Sequence, residues 1–247
     1  MILTKQCTCG VDVSREAAEG YGSDILNGLQ FLCPECSVEQ EKLWEAEDRR
    51  HQAELDEERM ANKLNVLPAG LRRIRLSKLD RDGRSDVLDA ARRWAAGDLS
   101  GLLLLGNIGV GKTTIAAGCV ADYIAQHLDR ATPRWISATL ALSNLSRNFG
   151  DRERETTIEA LTGRSAPLVL DDIDKVKPNV YAAEQLFVAI DNCLTHERPL
   201  IVTTNLLPSQ LEAKWPKPHG GAIASRLAGY CEMHRVTGVD RRLRRAA

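Results

Sequence analysis

The sequence predicts an α/β fold of three layers, a sandwich in which helices cover both faces of a parallel β-sheet. Three observations predict this fold. Short, continuous apolar runs alternate with helical segments, a pattern typical of parallel sheets buried on both faces. A glycine-rich turn follows the first of these runs, and adjacent carboxylates end a later one. Hydrophobic residues make up 43% of the 247 residues, which is ordinary for a globular protein.

The composition and the charge exclude some classes of protein. The formal net charge is −1, so the charge of the whole chain does not predict a nucleic-acid binder, and any such surface must be local. No apolar run approaches the roughly 20 residues of a membrane span. The start, MILTKQCTCG, lacks the apolar core of a signal peptide. We therefore expect a cytoplasmic protein.

The first 36 residues are rich in cysteine. They hold four of the seven cysteines, in the pairs CTCG and CPEC: Cys7, Cys9, Cys33 and Cys36. In a reducing compartment, such pairs are typical of metal ligands rather than disulfides, and tetrahedral Zn²⁺ suits four sulfurs. The sequence predicts a four-cysteine zinc-binding module at 1–36, and the alternative is a flexible tail with free thiols. A DNA contact is disfavoured because Lys5 and Arg15 are its two basic residues.

A charged segment follows the cysteine-rich module. Residues 37–66 contain no glycine or proline and are rich in Glu, Arg and Ala, which predicts a helical linker. Its apolar stripe is thin, so a solvated helix is favoured over a coiled coil that binds a partner. Pro68 and Gly70 then break the helix. The α/β domain is therefore placed at 67–247.

The remaining elements follow in the order that a parallel sheet needs. The predicted strands are 102–106, 134–138, 167–172, 200–205 and 231–238. The predicted helices are 112–128, 139–150, 180–197, 207–215 and 221–230. The sequence shows no internal repeat.

The segment GNIGVGKT, Gly106–Thr113, matches the phosphate-binding motif G-x-x-x-x-G-K-[ST] and lies between a strand and a helix, as that motif requires. Its glycines let the loop curl so that backbone N–H groups point at phosphate oxygens. Lys112 is expected to reach the β- and γ-phosphates of ATP, and the Thr113 hydroxyl to ligate Mg²⁺. The predicted nucleotide-binding residues are Gly106, Asn107, Ile108, Gly109, Val110, Gly111, Lys112, Thr113 and Thr114.

Polar residues end two later strands. In LVLDDID (168–174), Asp171 is expected to hold Mg²⁺ together with Thr113, and Asp172 to polarise the attacking water. The alternative is a solvated strand end. Asn205 ends the next strand, where it is expected to orient that water. Asp172 is one methylene shorter than the Glu common in ATP-driven motors, and a displacement of about 1 Å can cost on the order of 100-fold in rate. We therefore expect a slow ATPase.

These motifs, in this order, resemble the AAA+ ATPases. The chain is similar in particular to the DnaC/DnaI-type replicative helicase loaders, a branch close to the IstB transposition ATPases. The resemblance runs from about Leu67 to Asp240, plus the cysteine-rich start. It rests on LPAGLRRIRL, GNIGVGKTT, LVLDDID, EQLFVAID, RPLIVTTN, IASRLAG and GVDRRL. It implies the AAA+ P-loop fold without a helical lid domain. One departure is Cys193, which stands where family members often carry Arg.

The resemblance also implies partners. Arg226, in ASRLAG, is expected to act in trans as the arginine finger that completes the ATP site of a neighbouring copy. The alternative is a surface Arg paired with a carboxylate. The N-terminal module is expected to grip a hexameric replicative helicase, and the ATPase domain to touch single-stranded DNA. The candidate DNA contacts are Arg147, Phe149, Lys175, Lys177, Tyr181, Arg241, Arg242, Arg244 and Arg245.

Three functions are compatible with these features. The resemblance favours ATP-dependent loading of a ring helicase onto single-stranded DNA during the initiation of replication, with ATP binding and hydrolysis as the switch. The second is an IstB-like ATPase that assists a transposase in selecting target DNA. The third is a zinc-dependent adaptor with a purely structural nucleotide site. The intact set of ATP-site residues disfavours that third function: Lys112, Thr113, Asp171 and Asn205.

Overall fold

The computed structural model describes residues 2–16, 31–79, 84–146, 158–159, 161–163 and 165–240. The chain divides into two compact units, Met1–Glu58 and Arg59–Ala247. Of the helices in these described ranges, none has both the length and the apolar composition that crossing a membrane requires. The domain boundaries predicted after residues 36 and 66 stay predictions. One continuous helix, Pro34–Lys63, contains the point between Glu58 and Arg59 at which the two units divide.

The first unit contains a β-hairpin that the sequence analysis did not predict. Strand β1 (Ile2–Gln6) pairs antiparallel with β2 (Asp12–Glu16), and Gln6 lies opposite Asp12. The turn between them contains the first cysteine pair. Gly10 has a φ of 91°, a conformation that glycine adopts without steric cost. The hairpin therefore fixes the backbone on both sides of Cys7 and Cys9.

Helix α1 (Pro34–Lys63) is the predicted charged helix, but it begins at Pro34 rather than at residue 37. Proline suits the first helical position because its fixed φ matches the helix and its missing N–H needs no partner there. Cys36 consequently lies in the first turn of α1. None of the described side chains of α1 is buried, and Leu43 and Trp44 are exposed. The thin apolar stripe read from the sequence is thus a solvated face.

The second unit is built on a parallel five-stranded sheet. Its strands are β3 (Gly101–Leu105), β4 (Arg134–Ser137), β5 (Leu168–Asp171), β6 (Leu200–Thr204) and β7 (Glu232–Arg235). They lie in the order β4-β5-β6-β3-β7, with every neighbouring pair parallel. This order brings the carboxyl ends of β3, β5 and β6 side by side. All five strands were predicted, with ends that differ by at most three residues.

Helices cover both faces of the sheet. They are α2 (Ser85–Ala96), α3 (Lys112–Gln126), α4 (Ala138–Ser146), α5 (Val180–Thr195), α6 (Pro208–Lys214) and α7 (His219–Tyr230). Successive strand residues point to opposite faces, so Leu102 and Leu104 pack with α2 and α3, whereas Leu103 and Leu105 pack with α4, α5 and α7. The predicted three-layer α/β sandwich is confirmed. In the part of the chain that the structure describes, no helical lid follows β7.

Helix α2 was not predicted. Its residues Val87, Leu88, Ala91, Trp94 and Ala95 are buried against α3 and the sheet. Gly97 ends it with a φ of 90°, and its N–H donates to the carbonyl oxygens of Arg93 and Trp94. A glycine directly after the last helical turn is a common stop signal. That glycine and the 3.6-residue spacing of the buried positions were the available signals in the sequence.

Candidate functional site

The glycine-rich loop lies at the carboxyl end of β3, the strand that pairs with both β6 and β7. Gly109 and Gly111 have φ values of 80° and 101°, the left-handed region that suits glycine. Helix α3 begins at Lys112, so its N-terminal N–H groups face the loop. A Cβ on Gly106 would lie 2.3 Å from the carbonyl oxygen of Val236, so this position excludes every side chain. The loop and the α3 N-terminus form a concave set of N–H donors suited to an anion.

Lys112 is buried at the base of this loop, with 5% of its surface exposed. Its Nζ donates to the carbonyl oxygens of Gly106 (2.8 Å) and Asn107 (2.9 Å) and to Oδ1 of Asn205 (2.7 Å). Burial lowers the pKa of Lys112, and the nearby carboxylates of Asp172 and Asp174 oppose that shift. These contacts join the β3 loop to the end of β6 through a single ammonium group.

Asp171 and Thr113, the predicted magnesium ligands, lie in direct contact. The Thr113 hydroxyl donates to Oδ1 of Asp171 at 3.0 Å, and the Thr203 hydroxyl donates to the same oxygen at 2.6 Å. Burial raises the pKa of Asp171 above its usual range, and the hydrogen bond from Thr203 opposes this shift. Hydroxyl and carboxylate oxygens are ligands that Mg²⁺ accepts. Thr203, which was not predicted as a site residue, supports the carboxylate from the neighbouring strand.

Asp172 does not continue strand β5 as predicted. Its φ of 58° and ψ of 49° are left-handed, which ends the strand and starts the 3₁₀ turn Ile173–Lys175. Its backbone N–H donates to the Thr203 hydroxyl at 2.8 Å, and its carboxylate forms an ion pair with Lys175. Lys175, a candidate DNA contact, is therefore already paired with this carboxylate.

Asn205 has a second partner that the sequence analysis missed. Asp174 accepts hydrogen bonds from the backbone N–H of Asn205 at 2.8 Å and from its Nδ2 at 2.6 Å. Lys112, Asn205 and Asp174 therefore form a continuous polar chain along the carboxyl end of the sheet. No fixed spacing in sequence marks Asp174, since it meets Asn205 only because β5 and β6 are neighbours.

Arg226 lies on α7, where it contacts helix α5. Its Nε donates to Oδ1 of Asp191 at 2.6 Å, and its guanidinium carbon lies 4.2 Å from the centre of the Phe187 ring. Asp191 is 43% exposed and Arg226 is 34% exposed, so this pair borders solvent. Within one copy of the chain, Arg226 is therefore paired with a carboxylate, which was the predicted alternative to an arginine finger.

The four N-terminal cysteines converge. Their sulfurs all lie within 4.8 Å of one another, and those of Cys9 and Cys33 are 3.6 Å apart. Tetrahedral zinc with Zn–S bonds of about 2.3 Å separates its sulfurs by about 3.8 Å, so the donor set fits this ion. Hydrogen bonds from the backbone N–H groups of Cys9 and Cys33 lower the pKa of Cys7 to about 6, which favours its thiolate. Hydrogen bonds with the other thiols raise the pKa of Cys36 to about 12, so the cluster favours one thiolate in the absence of a metal.

The candidate DNA contacts are only partly described. Lys177 is exposed, while Tyr181 is partly buried against the core. The others lie outside the described residues: Arg147, Phe149, Arg241, Arg242, Arg244 and Arg245. The structure therefore clusters the predicted ATP-site residues within the second unit and, separately, the four cysteines within the first unit. It does not assemble a DNA-binding surface from the residues that it describes.

Comparison with known proteins defines the class of this fold. Residues 102–217 match the sequence profile of the ATPase family associated with various cellular activities (AAA). With the parallel sheet and the loop between β3 and α3, this match defines an AAA+ P-loop fold.

Within that class, the fold is that of the DnaI and DnaC proteins. The crystal structure of DnaI superposes with a TM-score of 0.61 at 19% identity, over 69% of this chain and 95% of that one. The DnaC helicase loader gives a TM-score of 0.55 at 17% identity, over 69% of this chain and all (100%) of that one. The predicted resemblance to DnaC/DnaI-type loaders is confirmed at the level of the fold.

A relative was also found by sequence. An ATP-binding protein in an insertion sequence of Mycobacterium tuberculosis is 32% identical over 132 residues, which cover 52% of this chain. The match spans about half of that relative, 49% of its length.

Proposed function

We propose that this chain is an ATPase whose site is formed by the loop Gly106–Thr114 and the carboxyl ends of β5 and β6. The contact between Thr113 and Asp171 beside buried Lys112 is the single observation that carries this proposal. In the proposed site, backbone N–H groups of the loop and Lys112 bind the ATP phosphates, and Thr113 and Asp171 hold Mg²⁺. The metal would neutralise charge on the phosphates. Asn205 orients the attacking water.

We also propose that ATP turnover is slow. Asp172 is the carboxylate nearest in sequence to the magnesium ligand, and it is expected to polarise the water. Its side chain is short, and in this structure it is paired with Lys175. Both features favour slow turnover, which suits a switch that responds to DNA or to a protein partner better than a motor.

The biological role that these features favour is ATP-dependent loading of a replicative ring helicase onto single-stranded DNA during initiation of replication. The similarity of the fold to the DnaC helicase loader supports this role. ATP binding holds copies of the chain together through Arg226 acting in trans, and hydrolysis releases the helicase. Of the two exposed lysines after β5, Lys177 is proposed to touch the DNA, since Lys175 is paired with Asp172.

The N-terminal module is proposed to hold zinc and to contact the helicase. Its four converging thiols favour a structural metal over free thiols. A zinc site can stabilise a small unit that lacks a large apolar core. Zinc, in this proposal, maintains the binding surface and takes no part in hydrolysis.

Transposition remains the second candidate because the relative found by sequence comes from an insertion sequence. That function uses the same ATP site with a different partner, a transposase. The two functions therefore differ in what the N-terminal module recognises and not in the chemistry of the site.

Capture of the hexameric replicative helicase encoded by the same source tests the proposed role. We expect the full-length chain to retain this helicase on a column. Cys33→Ser should release zinc, measured as metal content, and weaken capture by at least about tenfold while ATP affinity is unchanged. Glu35→Gln, a change between the two cysteines of CPEC, is the matched control and should keep both zinc and helicase. Failure of the wild-type chain to capture the helicase would overturn the loader function, and stimulation of a transposase would then support the second candidate.

A further inference from the structure

Asp174 accepts two hydrogen bonds from Asn205. The carboxylate lies in the 3₁₀ turn after β5, and Asn205 follows β6. Oδ1 of Asp174 accepts the backbone N–H of Asn205 at 2.8 Å, and Oδ2 accepts from the side-chain Nδ2 at 2.6 Å. Hydrogen bonds to an ionised carboxylate are about twice as strong as neutral ones. The contact therefore fixes both the backbone and the side chain of Asn205.

This contact determines which way the Asn205 amide faces. A carboxylate only accepts hydrogen bonds, so the NH₂ end of the amide must face Asp174. An ammonium group only donates, and Nζ of Lys112 lies 2.7 Å from Oδ1 at the other end. Both neighbours thus require the same orientation, with the Asn205 acceptor toward the phosphate loop.

The three carboxylates of DDID have separate partners. Asp171 accepts from the hydroxyls of Thr113 and Thr203, and Asp172 pairs with Lys175. Asp174 is half-buried and bonds Asn205. It is thus neither a second magnesium carboxylate in this arrangement nor a solvated strand end.

We propose that Asp174 is a positioning residue for hydrolysis, because it keeps the acceptor end of the Asn205 amide toward the phosphate loop. This inference rests on the proposed ATPase function. The amide oxygen at that point accepts a hydrogen bond from a water and leaves the lone pair of the water oxygen available for attack. A reversed amide would offer a donor instead and would compete for that lone pair.

A purely structural role makes a different prediction. If Asp174 only ties the ends of β5 and β6 together, its removal lowers stability and affects every function of the site. If Asp174 acts through Asn205, its removal affects turnover and has no effect once Asn205 is gone. A double-mutant cycle separates the two roles.

The experiment measures turnover, ATP affinity and thermal unfolding for four variants of the full chain: Asp174→Ala, Asp174→Asn, Asn205→Ala and Asp174→Ala/Asn205→Ala. Asp174→Ala should lower turnover by about 10- to 100-fold, the cost of misplacing a reacting group, while ATP affinity changes by less than about threefold. The double variant should be no slower than Asn205→Ala. The control Asp89→Asn, which removes a carboxylate paired with Arg92 on α2, should keep wild-type turnover.

Two results would contradict the role of Asp174: wild-type turnover in Asp174→Ala, or losses that multiply in the double variant. If Asp174→Ala does not fold, Asp174→Asn carries the same test. In Asp174→Asn, an NH₂ group replaces one carboxylate oxygen of nearly the same size. This NH₂ can only donate, so it faces one of the two Asn205 N–H donors without forming a hydrogen bond, and turnover should again fall. Wild-type turnover in Asn205→Ala would instead overturn the proposed role of Asn205 itself.

Discussion

Among single residues, Asp171 combines burial with charge. Its carboxylate is 9% exposed and its pKa is raised by burial, so the ionised form is disfavoured in the folded protein. This cost is absent below the ordinary Asp pKa of about 4, grows as the pH rises from there toward the raised pKa of the folded protein, and is constant above that. A bound Mg²⁺ would offset it. The ionised Asp171 carboxylate thus lowers the stability of the folded protein and is available to bind a cation.

Asp171→Asn should therefore stabilise the protein without nucleotide and inactivate it. Asparagine keeps an acceptor for the hydroxyls of Thr113 and Thr203 but carries no charge. We expect the variant to unfold at a higher temperature than wild type at neutral pH, with the difference vanishing toward about pH 4. Turnover should fall by at least about 100-fold, since a metal ligand is lost.

Thermal unfolding across this pH range, without Mg²⁺ or ATP, checks the prediction for Asp171. The surface change Asp89→Asn is the control, and it should alter stability by less than about 0.5 kcal/mol. If Asp171→Asn were less stable than wild type at neutral pH, the hydrogen bonds and charges around Asp171 would outweigh the cost of burying its ionised carboxylate, and the prediction would be wrong.

At the scale of elements, helices α5 and α7 present Arg226 at the edge of the sandwich. Its pair with Asp191 borders solvent, and such pairs contribute at most about 1 kcal/mol. Arg226→Ala should therefore cost little stability, whereas loss of an arginine finger lowers turnover by about 10³-fold or more. Asp191→Ala breaks the same pair and should largely retain turnover.

Mixing variants tests whether Arg226 acts in trans. Arg226→Ala keeps an intact loop, and Lys112→Ala keeps an intact arginine. An equal mixture should regain turnover that neither variant has alone, because one copy supplies the arginine to the other. Turnover that stays at the level of the separate variants, or a loss in Asp191→Ala as large as in Arg226→Ala, would assign Arg226 a role within its own copy.

The elements also show what a single sequence predicts. Strands β3, β5 and β6 were predicted because each is a continuous apolar run, which is typical of a buried parallel strand, and because a glycine-rich turn or polar residues mark its end. The hairpin was not, because ILTKQ and DVSRE are short and largely polar. Helix α2 was missed because three of its six buried positions are alanines, which give a weak apolar signal.

At the scale of the whole molecule, the order of motifs along the chain predicted most of the site. Lys112, Asp171 and Asn205 each end or follow a strand, so a parallel sheet brings them to one edge. Thr203 and Asp174 were missed because their roles depend on β6 lying beside β5. Which strands are neighbours is a property of the sheet and not of local sequence.

The proposed ATPase requires that the loop at Lys112 bind ATP, and the affinity for ATP measures that binding. Titration of the full chain with ATP and Mg²⁺, by calorimetry, should show binding that Lys112→Ala weakens by at least about 100-fold, since losing a buried charged hydrogen-bonding group costs several kcal/mol. The exposed change Lys78→Ala should bind as wild type does, and zinc content should be equal in all three proteins. Wild-type ATP affinity in Lys112→Ala would contradict the account.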